Sequence, residues 1–138
     1  MWNSTRKMAE AIARGIELED PKVKVKLLNS SKVDKNDIIT EVFKSKGILL
    51  GSPTVNNGYL HSIAGILEMI KGMKFQDKYA AAFGSYGWSG EVVKNLTQDL
   101  KDAGFNVIND GHRSLWVPDD EETNVLIDYG KEIAKEFI

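Results

Sequence analysis

Three short stretches of the sequence combine glycine, small polar and aromatic residues, as loops that bind a small ligand do. They are residues 2–5 (WNST), residues 51–62 (GSPTVNNGYLHS) and residues 84–91 (GSYGWSGE). Each leads into a stretch with helical periodicity, and the second and third follow apolar runs typical of buried strands. Ligand chemistry is therefore expected in these three stretches.

The first stretch has the composition of an anion-binding loop. Asn3, Ser4 and Thr5 carry polar side chains, and the backbone N–H groups at the start of the next helix point the same way. A phosphate there would meet hydrogen bonds and the positive end of the helix dipole. Taken alone, the stretch is better explained by Ser4 or Thr5 as the N-cap of the helix.

The other two stretches suit a flat heterocycle. Gly84, Gly87 and Gly90 let the backbone approach a ligand closely, and they bracket the aromatic residues Tyr86 and Trp88. The turn signals of residues 53–58 expose backbone groups that can read the polar edge of a ring. The alternative for Trp88 is that it only covers the end of the sheet.

Bulk composition excludes several classes of partner. The 138 residues fit one domain, residues 1–138, with 42% hydrophobic and 28% charged residues. A net charge of -2 argues against nucleic acid and against a membrane surface. The chain has no cysteine for a disulfide or thiolate site, and no apolar run approaches the ~20 residues of a membrane span. We expect a cytoplasmic location.

Helical and strand-like segments alternate along the chain. Apolar spacing predicts five helices, of which the first ends near Gly15 and the last follows the acidic residues 119–122. Asp34 or Asn36 is the expected N-cap of the second helix. Strands are predicted at residues 22–28 (KVKVKLL), 48–50, 79–83 and 105–108.

The order αβαβαβαβα predicts an α/β protein. Strands that alternate with helices form a parallel sheet with right-handed crossovers and helices on both faces. Ligands of such sheets bind beyond the carboxyl ends of the strands. All three stretches are expected at that edge.

The three stretches resemble the FMN-binding loops of flavodoxin-like domains, and most of all those of flavodiiron proteins (A-type flavoproteins). The likeness covers nearly the whole chain, and GSPT and GSYGWSG are its specific motifs. MWNST departs from the T-x-T-G-x-T phosphate loop of ordinary flavodoxins. The resemblance implies a flavodoxin-like doubly wound parallel sheet with helices on both faces, bound FMN, and neither a catalytic side chain nor a metal site.

By this resemblance the first stretch holds the FMN phosphate, and the other two line opposite sides of the isoalloxazine ring. Gly58 and Gly87 are candidates for a peptide that reorients when the flavin gains a proton at N5. The implied cofactor-binding residues are Trp2, Asn3, Ser4, Thr5, Pro53, Thr54, Val55, Asn56, Asn57, Gly58, Ser85, Tyr86, Gly87, Trp88 and Gly90.

The resemblance also implies that the first, central strand of the sheet is absent from the chain. Family members carry an apolar strand before the methionine that matches Met1, and the strand order 2-1-3-4-5 places it in the middle. We therefore expect the chain to start inside a longer gene product. Three outcomes stay open: another segment fills the slot, the neighbouring strands close up into four, or the chain does not fold stably alone.

The implied function is electron transfer by a flavoprotein domain that is an oxidoreductase only as part of a larger protein. Its partners would be a donor such as rubredoxin or a reductase and a diiron metallo-β-lactamase-like domain in cis or in trans, with a homodimer left open. Two alternatives are an FMN-dependent NAD(P)H:quinone or flavin reductase and a cofactor-free flavodoxin-fold interaction domain.

The remaining polar residues have simpler interpretations. His61 and His112 are too isolated for a metal site and are interpreted as surface or hydrogen-bonded residues. Residues 119–122 favour an acidic helix start over a docking patch for an electron-transfer partner. Trp116 is interpreted as a packing residue.

Overall fold

A parallel sheet of four strand segments lies between two layers of helices in the computed structural model, which describes residues 2–30, 32–53, 61–86, 91–109, 111–115 and 119–136. The helices are α1 (Trp2–Glu19), α2 (Lys35–Lys44), α3 (His61–Met73), α4 (Glu91–Asp102) and α5 (Asp120–Glu136). The strands are β1 (Gly47–Pro53), β2 (Tyr79–Tyr86), β3 (Asn106–Val107) and β4 (His112–Leu115).

The strand β2 is the centre of the sheet. It pairs in parallel with β1 on one side and with β3 and β4 on the other. The alanines at positions 80–82 are fully buried, since helices cover both faces of this strand. The strands predicted from the apolar runs 48–50 and 79–83 are confirmed, and both extend further toward their carboxyl ends than predicted.

The strands β3 and β4 are two parts of one interrupted strand. From Ala80 to Phe83 β2 advances by three residues, while its partner advances by five, from Val107 to His112. The two additional residues form a bulge in which Gly111 has a positive φ of 90°. The strand predicted at residues 105–108 is therefore confirmed in place but stops at Val107.

The prediction of a strand at residues 22–28 is wrong. Half-buried Val23 and Val25 alternate with exposed Lys24 and Lys26 as in a strand, but the segment has no strand pairing. A strand is stabilised by the ladder that it forms with a neighbour, and β1 is the last strand of the described sheet on this side. The alternating pattern alone therefore does not produce a strand.

The first helix differs from its prediction at both ends. Residues 2–5, predicted as a loop, instead form its first turn. Gly15, predicted to end the helix, lies inside it, and α1 continues to Glu19. The glycine serves packing, because a Cβ at Gly15 would overlap the carbonyl oxygen of Ile127 in α5.

Two hydrophobic clusters hold the layers together. Ile66, Leu96 and Leu100 belong to the cluster between the sheet and helices α2, α3 and α4. The second cluster includes Met8, Ile12 and Ile16 of α1 and Leu126 and Ile133 of α5. Two apolar residues of the helices, Phe43 in α2 and Val125 in α5, are instead exposed at 65% and 44%.

Aspartate caps fix where two helices begin. Asp34 accepts a hydrogen bond from the N–H of Asn36 at 2.8 Å, which confirms one of the two predicted caps of α2. Asp119 accepts from the N–H of Glu122 at 2.8 Å and so caps α5. Each cap satisfies an N–H group that has no acceptor within its helix.

The contact between α1 and α5 predicts a large effect of a single methyl group. Gly15→Ala should lower the free energy of unfolding by about 3 kcal/mol, since the obstacle is a backbone carbonyl that cannot move aside. Urea unfolding followed by circular dichroism measures the change. Gly72→Ala in α3 is the matched control: nothing lies within 4 Å of the added methyl, so stability should rise by about 0.4–1 kcal/mol. Equal effects of the two substitutions would contradict the tight helix contact.

Candidate functional site

Helices α1 and α5 begin toward the carboxyl edge of the sheet. Near the start of α5, Glu122 contacts His112 at the start of β4. Two turns later in the helix, Tyr129 contacts Asn109, which lies before His112 in the chain. Helix α5 thus runs opposite to the strands. The last turns of α1 and α5 are joined by an ion pair of 4.0 Å, so the two helices run in the same direction.

The segment 22–28 also ends at the carboxyl edge. Its C-terminal neighbour Ser30 has its Oγ atom 2.7 Å from the Oγ atom of Ser62, in the first turn of α3. Because α3 follows β1 in the chain, its first turn lies beyond the carboxyl end of that strand. The segment therefore runs parallel to β1 and ends beside the start of α3.

The first turn of α1 is suited to an anion. The first N–H groups of any α-helix have no acceptor within the helix, and they point out of its N-terminus. This turn contains Trp2, Asn3, Ser4 and Thr5 and no acidic residue, whereas α5 carries Asp120, Glu121 and Glu122 in its first turn. No carboxylate in the first turn of α1 offsets the positive end of the helix dipole. This helix start is therefore suited to a phosphate group.

The carboxyl ends of β1 and β2 lie side by side. The register pairs Pro53, the last residue of β1, with Ser85 of β2, and Tyr86 ends β2 one residue later. The preceding residues leave little space: Ser52 is fully buried, and a Cβ on Gly84 would lie 2.6 Å from the Ser52 carbonyl oxygen. Gly84 therefore allows the strands to pack closely. The sequence had suggested instead that it lets the backbone approach a ligand.

The predicted site residues divide into two groups. At the carboxyl edge, the first turn of α1 and the ends of β1 and β2 contain Trp2, Asn3, Ser4, Thr5, Pro53, Ser85 and Tyr86. The others lie outside the described residues, and with them the two candidates for a reorienting peptide; they are Thr54, Val55, Asn56, Asn57, Gly58, Gly87, Trp88 and Gly90.

A polar cluster behind β4 escaped the sequence analysis. The Tyr129 hydroxyl donates to Asn109 Oδ1 at 2.9 Å, and the same oxygen accepts from the N–H of Gly111 at 2.9 Å. These bonds tie the bulge between β3 and β4 to α5. The available signal was a tyrosine inside the apolar stripe of the last helix, because a buried phenol needs a hydrogen-bond partner.

The interpretation of His112 as a hydrogen-bonded histidine is confirmed. Its Nε2 atom lies 2.7 Å from Glu122 Oε1, and its ring centroid lies 5.2 Å from that of Tyr129. The acidic residues 119–122 thus include a cap, Asp119, and a histidine partner, Glu122, which supports the helix-start interpretation. In the part of the chain that the structure describes, no three potential metal-binding side chains cluster.

Burial raises the pKa of Tyr129 to about 12, with a smaller contribution from Glu132, against the lowering effect of the Asn109 hydrogen bond. The folded protein therefore keeps this phenol protonated in a pH range where the unfolded chain, with a tyrosine pKa near 10, has released the proton. Because the unfolded state binds fewer protons in that range, stability falls as the pH rises.

Tyr129→Phe tests this pH dependence. The stability of the unmodified chain should decrease from about pH 10 to pH 12 by up to about 3 kcal/mol more than that of the variant. Lysines and the other tyrosines titrate in both chains, so their contribution drops out of the difference in the free energy of unfolding. Urea unfolding at pH 9, 10, 11 and 12 measures it, and two curves that stay parallel throughout would contradict the raised pKa.

The geometry defines an α/β protein with a parallel sheet, at whose carboxyl edge a helix begins without an acidic residue in its first turn. The family model described as Flavodoxin matches residues 1–131. The chain belongs to the flavodoxin family. FMN, the cofactor predicted from the sequence, is the cofactor of this family.

Flavodiiron-type proteins are among its similar relatives. The chain is 50% identical over 137 residues to an anaerobic nitric oxide reductase flavorubredoxin of Aliivibrio fischeri, covering 99% of this chain and 27% of that relative. Among solved structures, rubredoxin oxygen:oxidoreductase from Desulfovibrio gigas aligns with a TM-score of 0.92 at 36% identity, covering 99% of this chain and 34% of the other. The predicted resemblance to flavodiiron proteins is confirmed, and the chain spans about a quarter of such curated relatives.

A flavodoxin from the domain Archaea is also similar. It aligns with a TM-score of 0.87 at 29% identity, covering 99% of this chain and 92% of that one. The predicted flavodoxin-like fold is thereby confirmed. None of the described helices has the combination of length and apolar character that would let it cross a membrane.

Proposed function

We propose that residues 1–138 act as one FMN-binding electron-transfer domain of a flavodiiron-type system. The observation that carries this proposal is the first turn of α1, which opens at the carboxyl edge of the sheet without a carboxylate. Family membership and the similarity to flavodiiron proteins support it. FMN supplies the one- and two-electron chemistry when it is bound, and the protein supplies binding and orientation.

The residues at the edge have separate tasks in this proposal. The N–H groups of the first turn of α1, with the side chains of Asn3, Ser4 and Thr5, bind the phosphate. The strand ends at Pro53 and Tyr86, together with the loops that follow them, contact the isoalloxazine ring. The pairing of β1 with β2 extends to the last residues of β1 and so fixes the separation of the two strand ends.

The partners follow from the relatives. One relative carries nitric oxide reductase and flavorubredoxin in its name, and another is a rubredoxin oxygen:oxidoreductase. By analogy, we propose that this domain takes electrons from a rubredoxin-type donor and passes them to a diiron metallo-β-lactamase-like domain in cis or in trans. The chain corresponds to about a quarter of the first relative, so these partners are outside the aligned part.

FMN binding and its dependence on the phosphate give the first test. Titration of the purified chain with FMN should quench flavin fluorescence to a 1:1 endpoint while circular dichroism reports a folded protein. Riboflavin, which lacks the phosphate, should bind about 100-fold more weakly because it forgoes charge-assisted hydrogen bonds and the helix dipole.

Each other outcome of this titration is informative. Equal affinity for FMN and riboflavin would contradict the phosphate site at α1. A folded chain that binds neither flavin would contradict the proposal and favour a cofactor-free interaction domain. Turnover of NAD(P)H with a quinone or free flavin by the isolated chain would favour the reductase alternative.

Two tyrosines at opposite ends of β2 form a matched pair for locating the ring. Tyr86→Ala at the carboxyl edge should weaken FMN binding about tenfold through lost contact with the ring. Tyr79→Ala at the first residue of the same strand should leave the affinity unchanged, because it lies at the opposite edge. Fluorescence titration measures both affinities, and circular dichroism checks both folds. A loss confined to Tyr79→Ala would place the ring elsewhere.

A further inference from the structure

The amino edge of the sheet exposes two large apolar side chains. Phe43, in the last turn of α2, is 65% exposed, and Met73, the last residue of α3, is 51% exposed. Each helix leads into a strand of the sheet, so both helices end at the edge where those strands begin. There the N–H of Tyr79, the first residue of β2, donates to the carbonyl oxygen of Lys46 at 3.0 Å. The exposed pair thus lies at the edge opposite to the carboxyl edge.

Contacts with two neighbouring side chains hold Phe43 in place. The Nζ atom of Lys78 donates to the carbonyl oxygen of Phe43 at 3.1 Å and also to that of Ser45. The same Nζ atom lies 5.5 Å from the centroid of the Phe75 ring. The buried Phe75 ring meets the Phe43 ring edge-on, with their centroids 6.1 Å apart. Because Phe43 is already restrained, covering its exposed face costs little further conformational entropy.

The turn that carries Phe75 has an uncommon backbone. Lys74 and Asp77 have φ angles of 52° and 57°. Few residues other than glycine adopt this left-handed conformation, and they do so where the surrounding structure holds them. Here the contacts of Phe75 and Lys78 with the end of α2 hold the turn. The two segments therefore form one fixed surface, residues 43–46 and 73–78, which we call the amino-edge patch.

The amino-edge patch is positively charged, unlike the chain as a whole. Its residues include four lysines and one aspartate, whereas the whole chain carries a net charge of -2. Among the residues that the structure describes, no carboxylate oxygen lies within 4.0 Å of the Nζ atom of Lys44 or Lys74. A lysine at the end of a helix offsets the helix dipole, which accounts for Lys44. It does not account for an exposed, restrained phenylalanine beside that lysine.

We propose that the amino-edge patch docks a partner protein whose surface presents an apolar pocket surrounded by carboxylates, with Phe43 as the anchor in that pocket. An apolar centre within a polar rim is the usual layout of a protein–protein interface, and opposite charges on the two sides favour association. Tyr79 and Tyr86, at the two ends of β2, are about 23 Å apart. A partner at the amino edge therefore leaves the carboxyl edge accessible, and the inference does not rest on FMN binding.

Two other occupants fit the amino-edge patch less well. A second copy of the chain would bring two positively charged patches together, and like charges across an interface oppose association. Stable binding to a bilayer needs a long apolar helix face or more than one lipid-type anchor, whereas the patch offers one aromatic ring and one methionine. An acidic protein surface is therefore the occupant that the charge and the exposed ring favour.

Titration of the full chain with an acidic peptide, followed by amide chemical shifts, tests the proposal. The probe is an amphipathic helical peptide of about 18 residues, with leucine along one face and glutamate elsewhere. The matched control peptide has lysine in place of each glutamate. The glutamate peptide should bind at least about tenfold more tightly than the lysine peptide and should shift the amides of residues 43–46 and 73–78. Its affinity should fall as salt is added.

Two pairs of variants separate the anchor from the charge. Phe43→Ala should weaken binding of the glutamate peptide about tenfold, whereas Val125→Ala, at an exposed apolar position of α5, should not change it. Lys44→Glu should also weaken binding, whereas Lys94→Glu in α4 makes the same charge change near the carboxyl edge and should have little effect. Circular dichroism checks that all four variants fold.

Four results would overturn the proposal. Failure of the glutamate peptide to bind, or equal affinity for both peptides, would show that the patch does not recognise an acidic surface. Amide shifts centred outside residues 43–46 and 73–78 would place the binding elsewhere. Shifts of the patch amides that grow with protein concentration without peptide would identify an interface between two copies. Sedimentation of the chain with phosphatidylserine vesicles, lost in Phe43→Ala, would identify a membrane contact instead.

Discussion

The close contact between α1 and α5 determines where the start of α1 lies. Gly15 and Gly130 face each other across it, and a Cβ on either would overlap a backbone carbonyl of the opposite helix. Only glycine allows this distance, so the axes of the two helices are fixed relative to each other. Since α5 is in turn tied to β4 and to the bulge through Glu122 and Tyr129, the same contact places the first turn of α1 at the carboxyl edge.

The sheet sets the other half of the site by similar close packing. A Cβ on Gly84 would meet both the Ser52 carbonyl oxygen and Val92 of α4, and a Cβ on Gly51 would meet the ring of Phe83. These contacts hold the carboxyl ends of β1 and β2 together. The start of α1 and the ends of the two strands are therefore positioned by separate glycine contacts in separate layers.

Sequence patterns were reliable where a residue's surroundings follow from its own segment. The continuous apolar runs predicted β1 and β2, because a strand that is buried on both faces needs apolar residues at successive positions. Asp34 predicted a helix cap, because its hydrogen bond is made to a residue close in sequence. They failed where the partner is distant in sequence. Gly15 has the sequence context of a helix end, but it lies inside α1 because it packs against α5. Residues 22–28 alternate like a strand, but no described strand pairs with them. The role of Asn109 depends on its hydrogen bond with Tyr129, which is distant in sequence.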